Sequence, residues 1–283
     1  MPASAVLVSC AILSGAADLT IGDPGALAEG GPGDVDGSLG AADALAPADG
    51  EANDASDADA TMDGEGGRPF CDEPGLLARW TFDEGSGADV LDCTRFHHDG
   101  RVDGGMWTAG ERDGGMAFDG GWVGFGNPAD LQLTGPLSAC AWVLLTTAPR
   151  PEPARGYVVS KMANPVVAGW RVAVAPGLPT TTGSVSANVP FDGGQGVTRG
   201  GTLPIGAWTH ICMVYQSTAQ VIYVGGAEVA RDDTPFPKIT VSNDELRIGT
   251  RADGTNPFIG VVDDVRLYSR ALTPIEIAAL AQP

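Results

Sequence analysis

Basic residues are scarce in this chain. Its 283 residues include 16 Lys and Arg against 36 Asp and Glu, a formal net charge of −20. An acidic balance of that size argues against nucleic acid as a partner. Long apolar runs are missing too: no stretch reaches the 18 residues that a membrane-spanning helix needs. Only three histidines occur, His97, His98 and His210, and there is no Gly-x-Ser-x-Gly elbow, so a nucleophilic Ser or Cys has no evident base. The five cysteines form no Cys-x-x-Cys and no Cys/His cluster, which argues against zinc. From Gly22 to Gly67 no aromatic residue appears at all.

That last absence divides the chain. Residues 1–73 carry 15 Asp or Glu and a single basic residue, Arg68, so they hold −14 of the net −20. Residues 22–73 are dominated by Ala, Gly, Asp, Pro and Glu and cannot bury enough apolar surface to offset the entropy of ordering. They are predicted to be a disordered acidic tether; about sixty residues of such a flexible coil would span roughly 40–45 Å end to end. Before it, residues 1–21 form a signal-like segment in which Leu7-Val8-Ser9 precede Cys10, a pattern similar to a bacterial lipoprotein signal that is lipidated at cysteine. The alternative is a short apolar segment with an incidental cysteine.

What is present from residue 74 onward is a succession of short, branched or aromatic segments separated by Gly, Asp, Asn and Pro. Leu76–Phe82, Leu137–Leu145, Gly156–Lys161, Gly169–Val174, Ser184–Val189, Trp208–Tyr215 and Leu246–Gly249 all have strand length and strand composition. Gly225-Gly226 separates Val221–Val224 from Ala227–Ala230, and two glycines suit a type I′ hairpin, whose central residues both need positive φ. One helix signal stands out, at the end. Thr273 can cap, Pro274 suits the first helical position and Glu276 lies three residues after the cap, a capping box. The expectation is one all-β domain over 74–283, with no internal repeat.

The closing run Phe258–Leu280, FIGVVDDVRLYSRALTPIEIAAL, resembles the terminal signature of laminin-G-like jelly-roll domains of the concanavalin A-like lectin/glucanase superfamily. Trp80-Thr81-Phe82-Asp83-Glu84-Gly85-Ser86-Gly87 is similar to that family's opening, and Trp208-Thr209-His210-Ile211-Cys212 to an internal strand of it. The resemblance implies a two-sheet antiparallel jelly-roll sandwich with one short C-terminal helix. It also places Trp80, Trp142 and Trp208 at core positions and leaves no identifiable spare aromatic for a sugar platform. With Cys10 set aside, Cys71, Cys93, Cys140 and Cys212 allow three pairings, an even number suited to an exported, oxidised protein. Resemblance to pentraxins implies Cys140 with Cys212, which leaves Cys71 with Cys93.

Enzymes share this fold, but the acidic spacing of the retaining laminarinase-like hydrolases is absent. Asp244-Glu245 and Asp263-Asp264 are adjacent pairs, so only one member of each is expected to face a given side of a strand. Asp83, Asp92, Asp119, Asp263 and Asp264 are candidate ligands for a structural calcium ion, since loop carboxylates can tie strand ends together. No other cofactor is expected. These features predict a non-catalytic, extracytoplasmic recognition or adhesion module, either a cell-envelope lipoprotein or secreted. Its expected partner is a glycan or a surface protein, and it would meet a membrane only through a lipid on Cys10. The competing readings are a structural envelope protein without a small ligand and, more remotely, a glycosidase-like enzyme.

Overall fold

The computed structural model describes residues 61–62, 69–151, 155–179, 181–191, 194–234 and 238–283. The segment 1–21 with Cys10, and most of the stretch assigned to the tether, lie outside the described residues.

In chain order the strands are β1 (Thr61–Met62), β2 (Pro69–Phe70), β3 (Leu76–Trp80), β4 (Asp89–Val90), β5 (Gly100–Asp103), β6 (Met106–Ala109), β7 (Gly114–Asp119), β8 (Trp122–Gly124) and β9 (Leu137–Leu145). They continue as β10 (Gly156–Ser160), β11 (Arg171–Pro176), β12 (Gly183–Phe191), β13 (Gly194–Leu203), β14 (Trp208–Gln216), β15 (Ala219–Val224), β16 (Ala227–Asp232), β17 (Arg247–Ile248) and β18 (Ile259–Tyr268), followed by α1 (Pro274–Leu280). Apart from a small β1–β2 pair, two antiparallel sheets form. One runs β16-β15-β14-β9-β18-β7-β6, with β3 also paired to β18; the other runs β13-β12-β11-β10-β17-β8-β5-β4. The all-β sandwich with one short C-terminal helix is as the sequence implied.

Period-2 alternation builds the layers. On β14, Ile211, Met213 and Tyr215 join the core between the sheets, while Cys212 and Val214 belong to a second cluster on the outer face. On β11, Val172 and Val174 point to the core and Ala173 does not. Trp80, Phe82, Met116, Trp170, Phe258 and Val262 are fully enclosed in the core. Trp208, expected in the core, is only half-buried, because it opens β14 at the rim.

The hairpin and the helix are also where the pattern put them. Gly225 and Gly226 have φ of 57° and 79°. A Cβ on Gly226 would lie 3.1 Å from the Ala278 Cα, so the glycine also makes room for α1. Thr273 and Glu276 form the reciprocal capping box, the Thr273 backbone N–H donating to Glu276 Oε2 at 2.7 Å and the Glu276 N–H to Thr273 Oγ1 at 3.3 Å. Through Ile277 and Leu272 the C-terminal segment covers the outer face of its sheet, over Val214, Val221, Tyr223 and Tyr268.

Both disulfides are formed: Cys140–Cys212 links directly opposed residues of β9 and β14, and Cys71–Cys93 ties the chain before β3 to the loop after β4. Glu73, placed at the end of the tether from sequence, accepts from Arg266 Nη1 at 2.9 Å and Tyr268 Oη at 2.6 Å. Ordered contacts with the sandwich therefore reach back at least to Cys71.

Candidate functional site

The adjacent aspartates of β18 sit where that strand changes partner. Its first half pairs with β7 as far as Val262↔Met116, and its second half pairs with β3 from Val265↔Trp80. Against β9 the register slips between Asp263 and Arg266, a bulge, and Asp264 takes φ of 42°. The expectation that only one of the two faces inward is therefore corrected. The bulge interrupts the alternation, and Asp263 and Asp264 are 0% and 4% exposed.

Their environments differ sharply. Asp264 accepts from Arg79 Nε at 2.7 Å, Arg266 Nη2 at 2.9 Å and Arg112 Nη1 at 3.1 Å. Burial alone would raise its pKa, but the guanidiniums of Arg266 and Arg79 outweigh burial and hold the carboxyl below the usual carboxylate range. Asp263 accepts the Arg112 backbone N–H at 2.8 Å on Oδ2, while Oδ1 is buried without a partner. Burial pushes its carboxyl up to about 7 against that hydrogen bond, and the charge of Asp264 adds to the rise. In cross-strand register with it stand Trp142 and His210, and burial lowers the His210 imidazole to about 4. This is a bracing hub: its carboxylates are enclosed by side chains of the same sheet.

The remaining calcium candidates do not converge on the hub. Asp92 is buried and saturated by loop donors, with Arg79 N and Thr94 N on Oδ1 and Thr94 Oγ1 and His98 N on Oδ2, all within 2.8–3.0 Å. Asp83 is exposed and accepts from Gly114 N, and Asp119 is exposed at the end of β7. Among the described residues no three His, Cys, Asp or Glu side chains are grouped to hold a metal ion. The five aspartates do not fit a common calcium site. Asp244 is likewise committed, accepting from Ala163 N and Ser242 Oγ, and Glu245 pairs with Arg247.

An open site lies on the other sheet, on the outer face of β10–β13. Tyr157, Ala173, Ser186 and Arg199 form one cross-strand row, and Arg171, Asn188 and Val197 the next. The small side chains at the centre of this face, Ala173, Ala175, Ser184 and Ser186, are buried, and Arg199 reaches across β12 to donate to the Pro176 carbonyl oxygen, so the trough on this face consists of two depressions. One end is a depression of about 340 Å³ whose lining includes Arg155, Arg171, Asn188, Gln195 and Asn256. Another, of about 530 Å³, lies beside Leu178, Ser184, Arg199 and Thr202. From Asn188 to Ser184 along β12 is roughly 13 Å at strand rise. By comparison, the cleft between Leu145, Gly156 and Phe258 holds about 30 Å³, little more than a water.

The trough is basic. Arg155, Arg171, Arg199 and Arg251 line it, and among the described residues no carboxylate does. Arg251 is held by Asp253 through two contacts at 2.9 and 2.8 Å. Arg171 has no carboxylate: it is 5% exposed, and its Nη1 reaches only Ser186 O at 3.3 Å and Ser186 Oγ at 3.4 Å. Its Nε is buried without a partner, as is Oδ1 of neighbouring Asn188, which is 3% exposed. The guanidiniums of Arg171 and Arg251 lie over the Tyr157 ring, 4.9 and 5.8 Å from its centroid. Burial lowers the Arg171 pKa to about 10, which leaves it charged at neutral pH. Sequence reading took Gly169–Val174 as a strand and missed the site. The available signal was a charged residue in an apolar strand followed by alanine at alternate positions.

The fold is that of a two-layer lectin-like sandwich. A model of the concanavalin A-like lectin/glucanases superfamily, Laminin_G_3, matches residues 117–278, and the chain belongs to that family. No curated protein matches the sequence. Among solved structures, domain 4 of AbnA, a GH43 extracellular arabinanase from Geobacillus stearothermophilus, in complex with arabinotriose, is 21% identical with a TM-score of 0.51, covering 73% of this chain and 98% of that domain. The binding domain of Paraclostridial Mosquitocidal Protein 1 gives 14% and 0.56, and that of botulinum neurotoxin serotype G 12% and 0.54. The matches to these toxin domains cover 74% and 73% of this chain but only 52% and 50% of theirs. At such identities the likeness is one of fold.

Proposed function

We propose that this chain is a non-catalytic extracytoplasmic recognition module that holds a glycan in the trough over β10–β13. The observation that carries the reading is the contrast between the two outer faces. Helix α1 covers one with apolar side chains. The other presents two open depressions edged by amides, hydroxyls and guanidiniums, the few well-placed polar groups that a ligand site uses. A domain of similar fold whose structure contains arabinotriose makes a sugar the first ligand to try. The non-catalytic part rests on the acidic pairs. Asp263 and Asp264 are enclosed in the hub, and Asp244 and Glu245 are engaged by neighbouring groups, so none of them is set as an acid/base pair across a substrate cleft. Two disulfides support an oxidising compartment. Among the described residues no helix is long and apolar enough to cross a membrane, and attachment would be through a lipid on Cys10.

The test is a glycan array probed with the full chain, wild type and Gln195→Ala. Binding that the substitution weakens is expected. A blank array across diverse neutral and acidic polysaccharides would remove the glycan reading and leave the structural one.

A further inference from the structure

The geometry points to an acidic sugar as the ligand: the trough is built to seat a carboxylate or sulfate of a glycan against Arg171, with Asn188 beside it. This rests on the glycan reading above and specifies its substrate class.

A buried guanidinium is costly unless a counter-charge and full hydrogen bonding compensate it. Two other buried guanidiniums are compensated by carboxylates. Arg266, as deeply buried, has Asp264 and Glu73, and Arg251 has Asp253. Arg171 is the departure, with two long contacts to Ser186 and the Tyr157 ring. Among the described residues Nε is buried without an acceptor, and Nε with Nη2 forms an edge of the guanidinium fork that engages oxyanions. Arg155 and Arg251 border the same depression and add to its positive potential, in a chain whose net charge is −20. The missing negative charge is therefore assigned to the ligand.

Asn188 narrows the class further. It stands opposite Arg171 in the β11–β12 register, and its Nδ2 donates to Gln195 Oε1 at 3.0 Å, so the unpartnered Oδ1 can accept from a hydroxyl. An acceptor beside an uncompensated guanidinium suits a ligand with a hydroxyl near an oxyanion. Uronic acids and sulfated sugars have that arrangement, whereas a bare inorganic anion would leave the amide unpaired.

The test uses the full chain and calorimetric titration at about 0.15 M salt, where long-range repulsion by the acidic chain is screened. The probes are trigalacturonate, its methyl triester and a sulfated galactan trisaccharide. One or both acids should bind at least roughly tenfold more tightly than the ester, as a charge-assisted hydrogen-bonded contact implies. Whichever acid does so names the oxyanion. Arg171→Gln should bring that ratio close to one. Asn188→Asp, which supplies a carboxylate opposite Arg171 and keeps the side-chain size, should do the same without emptying the site. Equal binding of acid and ester, or an acid preference that survives both substitutions, would overturn the inference. Array hits confined to neutral glycans would overturn it while leaving the glycan reading in place; a blank array would overturn both.

Discussion

Asp264 Oδ1 lies 2.7 Å from Arg79 Nε, a contact that spans 185 residues and joins the first strand of the sandwich to the last. Arg266 and Arg112 converge on the same carboxylate, and Arg112 Nη2 also donates to the Leu280 and Gln282 carbonyl oxygens beyond it. One buried anion thus ties together β3, the loop before β7, β18 and the C-terminus.

Removing that anion leaves guanidiniums facing one another in a site largely closed to water. Asp264→Asn is expected to lower unfolding free energy by about 3 kcal/mol or more, the cost of breaking a buried pair from one side. Glu228→Ala, which breaks the exposed Glu228–Arg231 pair, is the control and should change stability by about 0.5 kcal/mol or less. Urea midpoints at pH 7 make the comparison. Equal effects would mean that the hub does not brace the fold.

Asp263 predicts a pH dependence of the opposite sense. Its carboxyl is raised from 3.8 to about 7 in the folded chain, so between about pH 4 and 7 the folded state keeps a proton that the unfolded chain releases. Stability from this residue is therefore greatest below about pH 4 and falls as pH rises to 7. In Asp263→Asn the amide oxygen can take the place of Oδ2 and accept from the Arg112 N–H. The variant should be more stable than wild type at pH 7 by up to about 4 kcal/mol, with the difference shrinking towards zero near pH 4. Denaturant midpoints at one-unit pH steps read it, and a constant difference would contradict it.

The parts of the fold that were legible in sequence are those with local causes. The capping box needs only Thr273 and Glu276, and the hairpin only Gly225 and Gly226. The bulge at Asp263-Asp264 has no local signature, because it arises where β18 exchanges β7 for β3, strands more than 140 residues earlier. β13, Gly194–Leu203, carries four glycines and no apolar alternation; pairing with β12 makes it a strand. The trough was hidden for a related reason. Arg171, Asn188 and Val197 belong to three separate strands, and only the register places them in one row. The sequence motifs are concentrated on the sheet that helix α1 covers, away from the open face.

The two disulfides should contribute unequally. Cys140–Cys212 closes 72 residues and Cys71–Cys93 closes 22, which the chain-entropy account values at about 4 and 3 kcal/mol. Cys140→Ala with Cys212→Ala also opens a void under α1, so its loss should exceed that estimate. Cys71→Ala with Cys93→Ala frees a segment at the edge, with Glu73 still holding Arg266 and Tyr268. Thermal unfolding of the two double variants should rank them in that order, and a greater loss from the Cys71–Cys93 pair would show that anchoring the start of the domain matters more than the central link.

Helix α1 gives the disulfide beneath it a kinetic shield. Cys140 and Cys212 are enclosed with Val214, Tyr223 and Tyr268 under Ile277, and the helix is held by its cap, the buried Ile277, the Glu276–Arg270 pair and the Arg112 contact to the Leu280 carbonyl oxygen. Thr273→Ala removes the hydroxyl that accepts the Glu276 N–H, a loss of about 1 kcal/mol. If α1 lifts as a local unit, that loss makes opening about fivefold more frequent without changing the core between the sheets. Dithiothreitol should then reduce Cys140–Cys212 about fivefold faster in Thr273→Ala, with the rate at Cys71–Cys93 unchanged, as followed by alkylation and peptide mass. Equal acceleration at both bridges would mean that reduction proceeds through global unfolding and that α1 does not open independently.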